Sequence, residues 1–251
     1  MIRNMLRSAY RRFWVVPKTQ RTYKDLSIAE TFQRIYSTKS WGDQGMPFSS
    51  GAGSRGPVAE RYSGFVIQFI RDYQVQSMVD LGCGDYAVGS RIVAATGVRY
   101  TGIDVVPDLI EHHRRTVTDA RVQFQQADIS SDPLPPADLC LVRQVLQHLS
   151  NDEIRKVLAN LRGYSYVLIS EDVPVRPRSF NRDKPHGPDI RGYAGSGVWV
   201  DRPPFSVPVT KAWEFPLSDS SLLRTVLIAG TPSPDEERKP NPTPATSRTD
   251  G

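Results

Sequence analysis

Two glycines set between two acids are the residues of this 251-residue chain best suited to chemistry. Gly82 and Gly84 follow the segment Met78–Leu81, which is apolar except for Asp80. Asp80 and Asp85 lie on either side of the two glycines. Glycine has no Cβ, so its backbone can adopt left-handed dihedrals and a ligand can approach the main chain closely. We therefore predict a buried strand, a glycine turn that cradles a nucleotide, and then a helix.

Charge discriminates between the candidate nucleotides. The turn formally fits the dinucleotide fingerprint, and Asp104 lies twenty residues after Gly84, where a ribose-binding acid is expected. A pyrophosphate would be repelled by Asp80 and Asp85, which disfavours a nicotinamide-dependent oxidoreductase. S-adenosylmethionine has no phosphate but carries an ammonium and a sulfonium. The same two acids therefore favour S-adenosylmethionine.

Four motifs, in order, resemble those of the class I S-adenosylmethionine-dependent methyltransferases. They are the first motif Val79–Gly84, the second motif Tyr100–Asp104, the adenine-side motif Gln126–Ile129 and the fourth-strand motif Asp138–Gln144. The resemblance covers about residues 57–172. Trp41-Gly42 and the pattern Ser50–Ser54 are similar to a segment that precedes the first motif in an uncharacterised bacterial subgroup. Tyr86 is a departure, because a third glycine is often found there.

The resemblance implies a cofactor and its contacts. It makes S-adenosylmethionine the cofactor, with Asp80 at the methionine end, Asp104 at the ribose and Asp128 at the adenine. The implied cofactor-binding residues are Asp80, Gly82, Cys83, Gly84, Asp104, Val105, Asp128, Ile129, Arg143 and Gln144. Strand four ends on Arg143-Gln144 and not on clustered oxygen ligands, so we expect no metal.

Strand-like and helix-like segments alternate along the centre of the chain. We predict strands over 77–82, 99–104, 121–125, 138–142 and 165–171, and helices over 57–73, 87–96, 107–117 and 151–162. Alternation of this kind implies a parallel sheet with helices on both faces. With a closing hairpin over 210–215 and 221–228, the expected α/β fold is Rossmann-like and doubly wound. Its mostly parallel seven-stranded sheet has an antiparallel last strand.

A hydroxyl acceptor must lose a proton during methyl transfer, so a nearby base would help. His148 lies just beyond strand four and just before a helix that begins with the capping box Ser150–Glu153, which places it at the crevice. It is either the base or a structural histidine at the helix start. Glu171 and Asp172, at the end of strand five, are the alternative catalytic residues.

Two loops interrupt the alternation and are candidates for binding. The glycine- and serine-rich segment 41–56 is either a linker or a lid over the cofactor. The proline-rich segment 174–209 mixes charge with aromatics, as an ordered acceptor-binding wall would. The substrate-binding residues predicted there are Arg182, Asp183, Tyr193 and Phe205.

The ends of the chain differ from its centre. Residues 1–25 predict a basic amphipathic helix that docks on its own domain, contacts an anionic membrane through residues 1–14, or acts as a targeting peptide. The methyltransferase domain is expected over 26–230, followed by a disordered tail over 231–251. The basic residues of the first segment account for the net charge of +5, so we expect no nucleic-acid groove on the main domain.

Composition also restricts the compartment. No apolar run is long enough to span a bilayer, and Cys83 and Cys140 both lie within the predicted fold, so we expect a cytoplasmic location, with peripheral membrane contact as an option. The expected function is O-methylation of a hydroxyl on a small molecule or saccharide. The alternative is a non-catalytic scaffold that binds the cofactor or docks on membranes. His112 and His113, which precede two arginines, are expected at the surface.

Overall fold

The computed structural model describes residues 21–42 and 45–229. The helices are α1 (Ile28–Ser37), α2 (Gly56–Asp72), α3 (Ala87–Thr96), α4 (Pro107–Thr116) and α5 (Asn151–Asn160). The strands are β1 (Ser77–Leu81), β2 (Arg99–Asp104), β3 (Val122–Gln126), β4 (Leu139–Arg143), β5 (Tyr166–Pro174), β6 (Lys211–Pro216) and β7 (Ser221–Ala229). The basic segment of residues 1–20 and the tail 231–251 lie outside the described residues. Within the described ranges, no helix is long and apolar enough to cross a membrane.

The seven strands form one sheet in the order β3-β2-β1-β4-β5-β7-β6. The first five strands pair in parallel, and β7 runs antiparallel to both β5 and β6. The predicted seven-stranded, doubly wound sheet with its closing hairpin is therefore confirmed. Its strand order changes direction between β1 and β4, which is where open α/β sheets form a crevice at the carboxyl ends of their strands.

Apolar residues on both faces of the central strands hold the helices against the sheet. In β4, Cys140 and Val142 face one apolar core, whereas Leu139 and Leu141 face the other. This alternation follows from the two-residue period of a strand. Helices α2 and α3 cover one face and α5 covers the other, so both faces of the sheet are shielded from water.

Helix α1 lies across the crevice and forms its roof. It begins with a capping box, in which Ser27 and Glu30 bond each other's backbone amides. Gln33 Nε2 donates a 2.7 Å hydrogen bond to Asp108 in the first turn of α4. At the other end, His186 contacts the carbonyl oxygen of Leu26 through Nε2 (3.0 Å). The capping-box pair Ser27 and Glu30, followed by Phe32, Ile35 and Tyr36 on one face, predicts this helix from sequence but not its position over the crevice.

His186, in segment 174–209, joins the start of the roof helix α1 to the start of α5. Its Nδ1 lies 2.7 Å from Oε1 of Glu153 in the first turn of α5, and its Nε2 lies 3.0 Å from the carbonyl oxygen of Leu26. The Glu153 carboxylate raises the pKa of His186. Only the protonated imidazolium can donate to both acceptors at once, so protonation strengthens this contact.

His113 is buried, so the expectation that it lies at the surface is wrong. Its spacing from Leu109 and Ile110 places it on the inward face of α4, whereas the following arginines point away. The ring stacks on Phe124 at 4.7 Å, and Nε2 lies 2.7 Å from the carbonyl oxygen of Gly84. Burial lowers the pKa of His113, so the neutral ring can donate an N–H to that carbonyl.

The first prediction concerns the pH dependence of stability. The raised pKa of His186 gives a stabilisation that is fully present below about pH 6.5, the ordinary pKa, and is lost as the pH rises through the raised value. His186→Asn should therefore lower the free energy of unfolding by up to about 1 kcal/mol at pH 6 and by less at pH 9. Urea denaturation at both pH values measures this, with His112→Asn as the control. An equal loss at both pH values would contradict the prediction.

Candidate functional site

A cavity of about 300 Å³ opens at the carboxyl ends of the strands, beneath α1. Residues from all four predicted motifs line it, because the carboxyl ends of parallel strands meet at one edge of the sheet. The sequence-predicted residues that the structure brings together here are Asp80, Gly82, Cys83, Asp104, Val105, Asp128, Ile129, Arg143, Gln144, His148 and Tyr193. Gly84 lies in the same turn, where its amide bonds Asp104.

Both glycines of the turn have positive φ angles, 72° for Gly82 and 53° for Gly84. A Cβ on Gly82 would clash with the side chain of Val145, and a Cβ on Gly84 would clash with Oγ of Ser50. The turn must therefore be glycine for two reasons, backbone conformation and the close approach of neighbouring loops. The resulting narrow turn leaves its backbone at the edge of the cavity.

Tyr86 replaces the third glycine often found in this motif, and it keeps the glycine-like conformation with φ 60°. A left-handed tyrosine costs about 1–2 kcal/mol. Its ring packs at 5.1 Å from both Tyr100 and Phe124, and such aromatic contacts offset the strain. The departure from the family pattern is therefore accommodated by packing beneath the turn.

The carboxylates of Asp80 and Asp104 are buried at the cavity wall. Tyr100 donates its hydroxyl to Asp80 (2.9 Å), and the amides of Gly84 and Val106 donate to Asp104 (3.2 and 3.1 Å). Burial raises the pKa of each acid to about 6. Both acids are therefore mostly ionised at neutral pH, and a ligand that supplies positive charge or hydroxyl donors would stabilise them.

Asp128 lies on the loop after β3, in a position that its own turn fixes. Its Oδ1 accepts hydrogen bonds from the amide of Ser130 (2.9 Å) and from that residue's hydroxyl (2.7 Å). Asn160 of α5 donates to the carbonyl oxygen of Ile129 (3.1 Å). These contacts hold Asp128 and Ile129 against the cavity on the side next to β2.

Among the described residues that line the cavity, Arg143 is the single Arg or Lys, against the four acids Asp80, Asp85, Asp104 and Asp128. Its guanidinium lies 4.9 Å from the ring centre of Tyr62 and donates a 2.6 Å bond to the carbonyl oxygen of Gly53. Its Nε is buried and has no hydrogen-bond partner. The cavity therefore offers one cationic donor among several carboxylates.

Residues 45–56, here called the lid segment, lie directly on the glycine turn. Ser54 and Arg55 donate to the Asp85 carboxylate at 3.0 and 3.1 Å, and the Asp85 amide donates to Oγ of Ser50 at 2.8 Å. Ser50 Oγ also bonds the hydroxyl of Tyr36 in the roof helix (2.9 Å). The lid segment and the roof are thus joined to the turn by one polar network.

His148 lies in a short 3-10 turn, Leu146–His148, after β4. Its ring is half-buried between Trp41 at 5.1 Å and Phe32 at 6.3 Å, and Nδ1 lies 3.2 Å from the carbonyl oxygen of Gly187. Burial, followed by the nearby charge of Lys184, lowers the pKa of His148 to about 3. The imidazole is therefore neutral at physiological pH, with Nδ1–H donating to Gly187 and Nε2 facing the side-chain amide of Gln147 at 3.4 Å, a long contact that a closer donor can replace.

Glu171 and Arg191 hold this turn from opposite ends. The buried Glu171 carboxylate accepts hydrogen bonds from the amides of Val145, Leu146 and Gln147 at 2.8–3.2 Å. Arg191 donates to the carbonyl oxygens of Leu146 (3.2 Å), Gln147 (3.1 Å) and Leu149 (2.7 Å). Burial raises the pKa of Glu171 to about 8. Glu171 does not line the cavity, so the structure places it as a support of the turn.

Several other predicted site residues also lie away from the cavity. Asp172 is on the opposite face of β5 from Glu171 and is half-buried, and burial raises its pKa to about 6. Asp183 accepts from the amide of Asn151 at 2.8 Å and so supports α5. Arg182 is exposed, and Phe205 lines a separate surface groove next to Tyr164. Of the four predicted substrate-binding residues, the structure brings only Tyr193 to the cavity.

The part of the cavity that lies beneath the roof helix α1 could not be predicted from the sequence. The lining residues absent from the sequence-based site predictions include Ile28, Phe32, Tyr36, Ser50, Tyr62, Gln147 and Ile190. Ile28, Phe32 and Tyr36 recur every four residues, a spacing that predicts only an inward-facing helix side. The position of α1 over the crevice makes that side part of the site.

An open, doubly wound sheet with a glycine turn and a cavity at its strand ends is the architecture of many nucleotide-binding α/β proteins. Residues 78–164 match the family model described as a methyltransferase domain. The match spans about a third of the chain and includes β1 to β4 and α5. Proteins of this family use S-adenosylmethionine as the methyl donor. No curated protein matches the chain in sequence.

Two solved structures share this fold at low sequence identity, and a third is similar over part of its length. The N-methyltransferase NodS from Bradyrhizobium japonicum WM9, in complex with S-adenosyl-L-homocysteine, has a TM-score of 0.52 and 14% identity, and the match covers 76% of this chain and 97% of NodS. The mitomycin 7-O-methyltransferase MmcR has a TM-score of 0.50 and 16% identity, with 69% and 54% covered. Human N-acetylserotonin methyltransferase, in complex with SAM, has a TM-score of 0.46 and 17% identity, with 69% and 58% covered. The chain thus matches little more than half the length of the last two proteins.

The second prediction tests the support of the turn. Glu171→Ala would leave three buried amides without partners and should lower the free energy of unfolding by about 3 kcal/mol. Its neighbour Asp172, on the other face of β5, provides the matched control, since Asp172→Ala should change stability by less than about 1 kcal/mol. Urea denaturation at pH 7 measures both values. Equal effects of the two substitutions would show that the turn does not depend on Glu171.

Proposed function

We propose that this protein transfers a methyl group from S-adenosylmethionine to a hydroxyl of a small molecule. The observation that carries the proposal is the cavity itself, in which four carboxylates and one arginine surround a glycine turn at the strand ends. S-adenosylmethionine has an ammonium, a sulfonium and one carboxylate, and its ribose carries two hydroxyl donors. This mixture of charges complements the cavity, whereas a pyrophosphate would face several carboxylates.

The residues present fit the cofactor one part at a time. Asp80 and the backbone of the turn would hold the methionine end, and Arg143, with its unpartnered Nε, would bind the carboxylate there. Asp104 would accept the ribose hydroxyls. Asp128 and Ile129 would contact the adenine. When bound, S-adenosylmethionine supplies an electrophilic methyl group on a sulfonium.

The lid segment would close the site over the cofactor. Its bonds to Asp85 join it to the glycine turn at the cavity wall, so opening this face to exchange the cofactor would break them. Closing a site in this way excludes water and fixes the reacting groups in position. The glycines of the segment allow its backbone to lie against Gln144 and the turn.

His148 would orient the acceptor. Methyl transfer is an in-line displacement, so positioning supplies most of the rate enhancement. The neutral imidazole can accept a hydrogen bond from the acceptor hydroxyl through Nε2, which aligns an oxygen lone pair with the methyl group. The proton can pass to Nε2 as the new C–O bond forms. A histidine with such a low pKa is a weak base, so orientation is its main contribution.

The third prediction concerns cofactor affinity. Asp104→Ala should weaken binding of S-adenosylmethionine at least about tenfold, or about 1.4 kcal/mol, because the ribose hydroxyls lose their acceptor. Wild-type affinity should also fall as the pH drops below about 6, where Asp80 and Asp104 become protonated. Calorimetric titration between pH 5 and 8 measures both effects, with NAD as the control ligand. Asp172→Asn, which removes an acid of similar pKa outside the cavity, should leave affinity unchanged.

The outcomes of this titration are distinct. Binding of S-adenosylmethionine and S-adenosylhomocysteine without binding of NAD supports the proposal. Absence of binding by either would reject it and favour the non-catalytic scaffold. Unchanged affinity in Asp104→Ala would reject the assignment of the ribose site alone.

The fourth prediction concerns turnover. His148→Ala should lower kcat about 10- to 100-fold and leave the affinity for S-adenosylmethionine within about twofold, because His148 contacts the acceptor and not the cofactor. The wild-type rate should show no ionisation attributable to His148 between pH 6 and 8, since its pKa is about 3. Steady-state kinetics over this pH range test both statements. Full activity in His148→Ala would return His148 to a structural role.

A further inference from the structure

We propose that the acceptor is a phenol, a hydroxyl on a flat aromatic ring that carries no charged group. This inference rests on the proposed function and specifies its substrate class. It comes from one part of the cavity outside the cofactor motifs, here called the acceptor end and defined by six lining residues. They are Ile28, Phe32, Trp41, His148, Ile190 and Tyr193.

The acceptor end is built mainly from flat and apolar side chains. The ring of Trp41 lies 5.9 Å from Phe32 and 5.1 Å from His148, and Phe32 meets His148 edge-on at 6.3 Å. Ile28 and Ile190 add aliphatic surface from the roof helix and from segment 174–209. Rings at such distances favour an aromatic guest, which can stack or pack edge-on against them.

The same region offers no counter-charge for an acidic acceptor. None of its six residues carries a formal charge at neutral pH, because His148 is neutral. The two cations next to His148 donate to backbone oxygens, with Lys184 Nζ 3.2 Å from the carbonyl of His148 and Arg191 bonded to the same turn. A carboxylate or phosphate bound here would lose its hydration without gaining an ion pair, which disfavours it.

Hydrogen-bonding capacity also separates a phenol from a saccharide. A saccharide would bring several hydroxyls, whereas the polar side-chain groups at this end are those of His148, Tyr193 and the neighbouring Gln147, and each unpaired hydroxyl would weaken binding. A phenol brings one hydroxyl, and His148 Nε2 can accept its hydrogen bond.

Acidity leads to the same class of acceptor. Among the six residues of the acceptor end, the one histidine is a weak base, because burial lowers the pKa of His148 to about 3. An acceptor that is itself acidic needs less help to lose its proton, and a phenolic hydroxyl has a pKa of about 10. In the transfer, the phenol oxygen bonds to the methyl carbon while the carbon–sulfur bond breaks. The electron pair goes to sulfur, which gives S-adenosylhomocysteine, and the phenol proton is released to water or to His148.

The test compares three probes that isolate these properties. 2-Naphthol is the neutral phenol, 6-hydroxy-2-naphthoate adds a carboxylate to the same ring, and methyl glucoside is the saccharide. Calorimetric binding is measured on the full chain with S-adenosylhomocysteine present, and formation of S-adenosylhomocysteine is measured with S-adenosylmethionine. We expect 2-naphthol to bind at least tenfold more tightly than either other probe and to be methylated.

Two variants locate the site. Trp41→Ala should weaken 2-naphthol at least tenfold, whereas Phe180→Ala, at an aromatic residue that is 46% exposed outside the cavity, should not. Ile190→Arg adds the missing counter-charge and should shift the preference toward 6-hydroxy-2-naphthoate at least tenfold. This gain does not depend on the stability of the Trp41 variant.

The possible results distinguish failure of the proposed methyl transfer from failure of the phenol assignment. If the wild-type chain does not bind S-adenosylmethionine, the proposed function fails. If it binds the cofactor but binds the naphthoate or the glucoside as tightly as 2-naphthol, or does not bind 2-naphthol, the phenol assignment alone is overturned. Unchanged 2-naphthol binding in Trp41→Ala, with unchanged preference in Ile190→Arg, would also overturn it.

Discussion

The site depends on the polypeptide turn that follows β4, and two buried polar side chains hold that turn from opposite ends. Glu171 accepts its first amides, and Arg191 donates to its later carbonyl oxygens. A short turn cannot satisfy these groups within itself, so they need partners from elsewhere in the fold. The turn carries Val145 against Gly82 and presents His148 to the cavity. Its two supports therefore set the geometry on both sides of the site.

This arrangement links cofactor and acceptor regions through a common element. Arg191 belongs to the long proline-rich segment, and Glu171 belongs to β5 at the centre of the sheet. The segment is therefore anchored to the sheet through the turn, which explains how a stretch with little regular structure can present Ile190 and Tyr193 at defined positions. Buried polar side chains whose hydrogen bonds are all satisfied can anchor such a segment, because the geometry of those bonds is specific.

The parts of the fold that could be predicted from sequence are the elements that short stretches of neighbouring residues determine. The strands expected over 77–82 and 99–104 agree with β1 and β2 within one residue, because apolar runs ending on an acid and a glycine turn are local signals. The order of motifs then indicates which strand ends meet. The two capping boxes likewise place the starts of α1 and α5.

The features of the site that could not be predicted depend on contacts between residues far apart in the chain, and no short stretch of sequence indicates them. Glu171 looks like a catalytic acid at a strand end, yet amides from the turn after β4 occupy it. His113 precedes two arginines and would be expected at the surface, yet it lies on the buried side of α4 and contacts the carbonyl oxygen of Gly84. Phe32 looks like an ordinary core residue, and only the crossing of α1 over the crevice makes it part of the cavity.

The cavity has two halves of different origin, with consequences for how the protein could diversify. The half that we propose for the cofactor is made by strand ends whose side chains are tied into the sheet. The half that we propose for the acceptor is made by α1, Trp41 and the segment that carries Ile190, which contact the sheet mainly through side chains. Substitutions in the second half can reshape the acceptor pocket while the first half keeps its form. The roof and loops are therefore the place to engineer new acceptor specificity, with the sheet as a constant scaffold.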